Sequence, residues 1–255
     1  MSEPADLIPG AEAWSADGGP AGVLVIHGFT GNPGSMRGLA EALAAAGFAV
    51  DLPRLPGHGT KVEDMIPTRF DDWLGAAEEH YAALAERCDQ VVVAGLSMGG
   101  ALTAWLGSEH PEIAGLVMIN AIASEPPGMR DLVQALVDAG TETFDGIGSD
   151  IADPNQTERA YAQTPVAPLQ SLLDAAAELP ERLGRITCPC LIVNSPQDHV
   201  VPPDNSQLIA ETVKGPVERF TAERSYHVAT QDFDREAIEA ATVAFARRVT
   251  SSERS

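Results

Sequence analysis

Gln90-Val91-Val92-Val93-Ala94-Gly95-Leu96-Ser97-Met98-Gly99-Gly100 is the stretch around which the rest of the chain organises. Gln90 to Ala94 is a short run rich in valine, bounded by polar residues and glycine, which suits a buried strand. Met98 to about Ser108 has the composition of a helix. Between them, Gly-x-Ser-x-Gly at 95–99 describes a strained strand-to-helix turn that lifts a serine hydroxyl above the edge of a sheet. Flanking glycines are needed there because side chains would collide with neighbouring backbone. The helix that follows points its free N–H groups and the positive end of its dipole at the reacting centre. The five-residue pattern alone could arise by chance; the strand before it and the helix after it give it meaning.

Outward from this turn, apolar runs alternate with amphipathic patterns. Strands are expected at 22–27, 48–53, 116–120, 190–194 and, more weakly, 217–221. Helices are expected at about 35–46, 71–88 and 235–248, the second with Trp73, Ala77, Tyr81 and Leu84 on one stripe. Continuous Val/Ile/Leu strands between helices indicate a mostly parallel sheet covered on both faces. The alternation fails between about Ile122 and Thr187, where helical patterns occur and nothing reads as a strand. An all-helical insertion between two sheet strands would lie over the carboxyl ends of the strands as a cap. The expected organisation is therefore a core of residues 1–121 and 188–255, with 122–187 as a helical cap or lid. With the Gly-x-Ser-x-Gly turn, this is the α/β-hydrolase fold.

At 255 residues, 44% hydrophobic and 21% charged, the chain is long enough for a full core and is globular in composition. A formal net charge of −21 argues against nucleic acid and against docking on an anionic membrane surface. The acidity could repel anionic substrates, although solubility is a sufficient reason for it. No apolar run approaches the ~20 residues that span a bilayer, and the acidic start Met1-Ser2-Glu3-Pro4-Ala5-Asp6 is unlike a signal peptide. A cytoplasmic protein is expected. Cys188-Pro189-Cys190 is spaced too closely for a thioredoxin-type pair and has no second ligand pair to complete a zinc site. Small buried core residues are the better reading of both thiols.

A serine hydroxyl is a weak nucleophile until a base takes its proton and a third group holds the base. In the α/β-hydrolase fold these follow in the order Ser, acid, His. Of six histidines only His199 and His227 lie after the insertion. His227 follows the last expected strand, on the catalytic edge, and is the candidate base. His199 adjoins the candidate acid, Asp198, which itself follows the strand ending at Asn194-Ser195. Asp232 and Asp234 follow His227 too closely and suit N-cap duty on the last helix. One oxyanion donor is the Met98 N–H, directly after the nucleophile. The other should come from His27-Gly28-Phe29-Thr30-Gly31, with the Phe29 N–H best placed. His27 and His58 are given structural duties in their turns.

Taken together these residues resemble the bacterial monoacylglycerol lipases and their carboxylesterase relatives, nearly end to end. The resemblance lies in HGFTG at 27–31, LPRLPGHGT at 52–60, DDW at 71–73 and GLSMGG at 95–100. It continues through IGSD at 147–150, AYAQTP at 160–165, DHVVPP at 198–203 and SYHVAT at 225–230. It implies hydrolysis of a monoacylglycerol to glycerol and fatty acid, with Ser97, Asp198 and His227 as triad and Phe29 and Met98 as oxyanion donors. It further implies a substrate pocket in which the cap residue Ile147 closes over the ligand and Glu158 accepts hydrogen bonds from glycerol hydroxyls. An exposed surface acid is the competing reading of Glu158. The expected enzyme needs no cofactor or metal and takes a small lipid ester, with transient membrane contact and a homodimer both open. The alternatives are a short-chain carboxylesterase for another alcohol, acyl transfer to an acceptor other than water, and a non-catalytic binding protein of the same fold. Hydrolase-fold chemistries with an Asp nucleophile are disfavoured by Ser97.

Overall fold

A computed structural model describes residues 6–146 and 148–251. Its strands are Trp14–Ala16 (β1), Ala21–Ile26 (β2), Ala49–Leu52 (β3), Gln90–Leu96 (β4), Gly115–Ile119 (β5), Thr143–Asp145 (β6), Gln163–Pro165 (β7), Cys190–Asn194 (β8) and Val217–Thr221 (β9). Its helices are Arg37–Ala45 (α1), Val62–Met65 (α2), Phe70–Ala85 (α3), Met98–Glu109 (α4), Met129–Asp138 (α5), Val166–Leu183 (α6), Asp204–Thr212 (α7) and Arg235–Thr250 (α8). Seven strands form one sheet in the order β1-β3-β2-β4-β5-β8-β9, parallel throughout except for the short edge strand β1.

Alternate residues of each central strand point to opposite faces, and both faces are buried. Leu24, Ile26, Val91, Val93, Leu116, Met118 and Ile192 pack on Trp73, Leu84, Leu102, Leu179 and Leu183 from α3, α4 and α6. Val23, Val25, Val92, Ala94, Val117, Ile119 and Val193 pack on Leu39, Leu43, Ile238 and Phe245 from α1 and α8. A strand covered on both sides has no polar face to show, which is why these segments read as unbroken apolar runs. The pairing register then aligns the strand ends: Ile26 opposite Gly95, Leu96 opposite Ile119, and Ile119 opposite Val193. Residues just beyond β2, β4, β5 and β8 consequently emerge side by side at one edge of the sheet.

Every strand expected from the sequence is present within a residue or two. Four features differ. The edge strand β1 and helix α7 carry too few apolar residues to stand out, and α1 is preceded by a 3₁₀ turn, Pro33–Met36. More significantly, the segment 122–187 is not all-helical: β6 and β7 pair as an antiparallel ribbon, Thr143 opposite Pro165 and Asp145 opposite Gln163. Three-residue strands are too short to show a period-two pattern. Within the same segment α5 packs on α6 around Val133, Val166 and Leu173, whereas Leu172, Leu179 and Leu183 of α6 belong to the main core.

Candidate active site

Ser97 occupies the turn between β4 and α4 with φ 57° and ψ −117°, a conformation that costs a non-glycine residue about 1–3 kcal/mol. Its surroundings enforce it. The Ser97 N–H donates to Ile119 O at 2.9 Å, and its carbonyl accepts from Ala101 N at 3.0 Å. A Cβ at Gly95 would lie 2.1 Å from Gly99 O, and one at Gly99 would lie 2.3 Å from Ile26 O. Neither position admits a side chain, so the two glycines let the turn tuck against β2.

A histidine held by a carboxylate shares the serine's cavity. His227 Nδ1 donates to Asp198 Oδ2 at 2.8 Å, and the Asp198 side chain is only 2% exposed. The other Asp198 oxygen accepts from Val200 N and Val201 N, both at 2.8 Å, so the carboxylate keeps its hydrogen bonds although water is excluded. With Nδ1 committed to Asp198, Nε2 is the ring nitrogen left to exchange a proton with a reacting group. His227 and Ser97 line the same cavity.

The turn after β2 is held by two buried histidines. Leu55 N donates to His27 Nε2 at 3.2 Å, so Nε2 is unprotonated and Nδ1–H donates to Gly28 O at 2.9 Å. Burial lowers the His27 pKa to about 4 and pushes His58 well down too, so both rings are neutral props. His58 packs between His27 and Trp73, and Trp73 packs edge-on to Phe29. A Cβ built on Gly28 would lie 4.0 Å from Ser97 Oγ, which sets this turn directly over the serine. Among the described residues no backbone group accepts from the Phe29 N–H, and Met98, at the first position of α4, has no acceptor within its helix. Two backbone donors, in the turns that flank Ser97, thus remain without a backbone acceptor among the described residues.

The cavity has a volume of about 320 Å³ and is mostly apolar, with Ile122, Met129, Leu132, Phe144, Leu169, Leu172 and Leu173 forming the wall that the 122–187 segment supplies. Its polar members include Ser97, His227, Thr30 and Glu158. Glu158 is therefore not a simple surface acid. It is partly buried against Gly31, and no hydrogen bond to its carboxyl group forms among the described residues. Burial raises its pKa to about 7, against the opposing pull of His227. Ile147 lies outside the described residues. No group of three or more His, Cys, Asp or Glu among the described residues is arranged to hold a metal ion, and no described helix is long and apolar enough to cross a membrane.

Three further residues shape the site through contacts that the sequence did not show. Asn120, at φ 43° just past β5, donates to His227 O at 2.8 Å and accepts from Ser195 N at 2.8 Å. A lone Asn closing an apolar strand was the available signal, since Asn tolerates left-handed backbone. Asp150 accepts from the N–H groups of His199 and His227. Asp232 accepts from the N–H groups of Ala152, Asp153, Tyr226 and Phe233. The expected N-cap duties of Asp232 and Asp234 are corrected here. Asp234 holds the N-cap position of α8, but its carboxylate turns back to Arg224 N and Ser225 Oγ, and no side-chain cap forms. A loop crowded with free N–H groups outcompetes one helix end for these carboxylates.

A mostly parallel sheet carrying a serine at a strained strand-to-helix turn, with an Asp-bonded His beyond the last strands, defines an α/β-hydrolase. The chain belongs to the family described as serine aminopeptidase, S33, whose model matches residues 20–234. It is 47% identical over 242 residues to the thermostable monoacylglycerol lipase of Bacillus sp. (strain H-257), covering 93% of this chain and 95% of that one. It is 28% identical over 229 residues to a carboxylesterase of Bacillus subtilis (strain 168), covering 87% and 90%. Among solved structures, one described with two metagenome-derived lipolytic enzymes superposes with a TM-score of 0.91 at 42% identity, over 95% of this chain and 99% of that one.

Proposed function

We propose that this chain is a carboxylic ester hydrolase that cleaves monoacylglycerols to glycerol and a free fatty acid through an acyl-enzyme on Ser97. The observation that carries the reading is the placement of Ser97 and the Asp198-held His227 in one cavity with an apolar wall. The 47% identical lipase supports the substrate class. Ser97 Oγ attacks the ester carbonyl as His227 Nε2 takes its proton, and Asp198 stabilises the resulting imidazolium. The N–H groups of Phe29 and Met98 receive the developing oxyanion. His227 then protonates the departing glycerol oxygen. Water, deprotonated by the same nitrogen, releases the fatty acid and restores the serine.

In this reading residues 122–187 form the cap, whose apolar wall takes the alkyl chain while Glu158 accepts from the glycerol hydroxyls. Ile147 belongs to the same proposed pocket. A cytoplasmic location suits three free, buried thiols. The half-exposed Leu132 and Val137 on α5 offer a surface for a homodimer, which light scattering would reveal.

The test compares wild type and Ser97→Ala on a monoacylglycerol and a p-nitrophenyl ester; undiminished turnover by the variant would end the proposal. The Bacillus subtilis carboxylesterase relative favours a second reading, a simple alkyl-ester substrate. That reading prevails if Glu158→Ala leaves the preference for glyceryl over alkyl esters unchanged.

A further inference from the structure

Asp150 is a carboxylate that the chemistry above does not use, yet it touches both loops that carry the acid and the base. It lies in the cap segment, its side chain 11% exposed. One oxygen accepts from His227 N at 3.1 Å and from His199 N at 3.2 Å; the other meets His199 Nδ1 at 2.8 Å. Its own carbonyl accepts from Val228 N at 3.1 Å. Two consecutive N–H groups of the base loop, His227 and Val228, therefore end on one cap residue. The same carboxylate holds the residue that follows the acid Asp198. On the opposite side, Asn120 from the sheet edge takes His227 O. The base is consequently clamped between sheet and cap, and the cap half of the clamp is Asp150.

We propose that Asp150 is a positioning residue for the reaction: a cap carboxylate that fixes His227 against Asp198 and sets a negative charge beside it. The inference rests on the Ser97–His227–Asp198 reading. When Ser97 gives up its proton, the imidazolium is faced by Asp198 at its ring, Asp150 at its backbone N–H and Glu158 across the cavity. His199 Nδ1 is bonded to Asp150, and Asp232 accepts from the neighbouring Tyr226 N–H. An added anion beside a histidine favours its charged form. Asp150 thus couples the seating of the cap to the competence of the base.

The test uses Asp150→Ala and Asp150→Asn in the full chain, with kcat and KM on p-nitrophenyl butyrate from pH 5 to 9 and labelling of Ser97 by a fluorophosphonate. Asp150→Ala should lower kcat about 10- to 100-fold, the loss that a misplacement of the order of 1 Å produces, with KM within about threefold of wild type. Asp150→Asn keeps an acceptor oxygen but not the charge. It should recover much of kcat while the acid limb of kcat/KM moves to lower pH, because less charge opposes loss of the imidazole proton. If Asp150→Ala does not fold, judged by circular dichroism, Asp150→Asn decides alone. An acid limb unmoved in Asp150→Asn, or wild-type kcat in Asp150→Ala, overturns the inference. Wild-type protein that neither hydrolyses the ester nor takes the label instead overturns the triad reading beneath it.

Discussion

The sheet edge and the 122–187 segment line one cavity, and they treat their polar groups differently. At the sheet edge the holding groups are committed: Asp198 accepts three hydrogen bonds, Asn120 joins β5 to the His227 loop, and His27 spends both ring nitrogens on backbone. On the side of the 122–187 segment Glu158 faces the cavity with no such partner among the described residues, and its pKa rises to about 7. The difference is one of task. Groups that must hold a geometry through a catalytic cycle are saturated with hydrogen bonds; a group meant to greet a ligand keeps its acceptors open. Substitutions at the sheet edge should therefore act on kcat, and those on the cavity-facing cap residue on KM.

The largest effect is expected at the centre of the sheet edge. Ser97→Ala should lower kcat by roughly 10⁴- to 10⁶-fold, read by monoacylglycerol hydrolysis at saturating substrate. Asp198→Asn should follow at about 10⁴-fold, because an amide favours the wrong imidazole tautomer; a change confined to KM would break the contrast. Asn120→Ala leaves the His227 carbonyl and Ser195 N–H unpaired in a buried place. It should cost about 2–3 kcal/mol of stability by urea denaturation and lower kcat, with KM little changed.

Glu158→Gln should give the smallest effect, and one that depends on pH. Wild-type Glu158 is ionised above about pH 7 and binds a proton below it. KM for monoacylglycerol should rise a few-fold as pH falls from 8 to 6 in wild type, and stay flat in Glu158→Gln. The stability effect has the opposite sense. A carboxyl whose folded pKa is raised loses its stabilising contribution as pH climbs from its ordinary range through about 7. The Gln variant should thus be more stable than wild type at pH 8 by up to about 3 kcal/mol, and no more stable at pH 4, by thermal melting. A pH-independent gap would show that Glu158 is not held in a desolvated place.

How much of this was readable beforehand follows the same division. Six strands and the serine turn were legible because each rests on a local rule: an apolar run, two glycines, a helix start. The Asp198–His227 pair, joined at 2.8 Å, was legible through chain order and position after β8 and β9. The β6–β7 ribbon was not, since each strand is three residues long and gains its pairing from a partner about twenty residues away. The duties of Asp232 and Asp234 differ from the helix capping that the sequence suggests, because the competing N–H groups lie in loops that only folding brings near.

By itself the sequence determined the parallel sheet and the strained serine turn, both encoded over a few neighbouring residues, and it singled out Ser97, Asp198 and His227 by their order along the chain. Only the tertiary structure decided how they are held. Asn120 reaches a carbonyl 107 positions away, Asp150 an N–H 77 positions away, and Glu158 a cavity shared with Ser97. Long-range hydrogen bonds and desolvation depend on what packs alongside, and one-dimensional spacing carries no record of that.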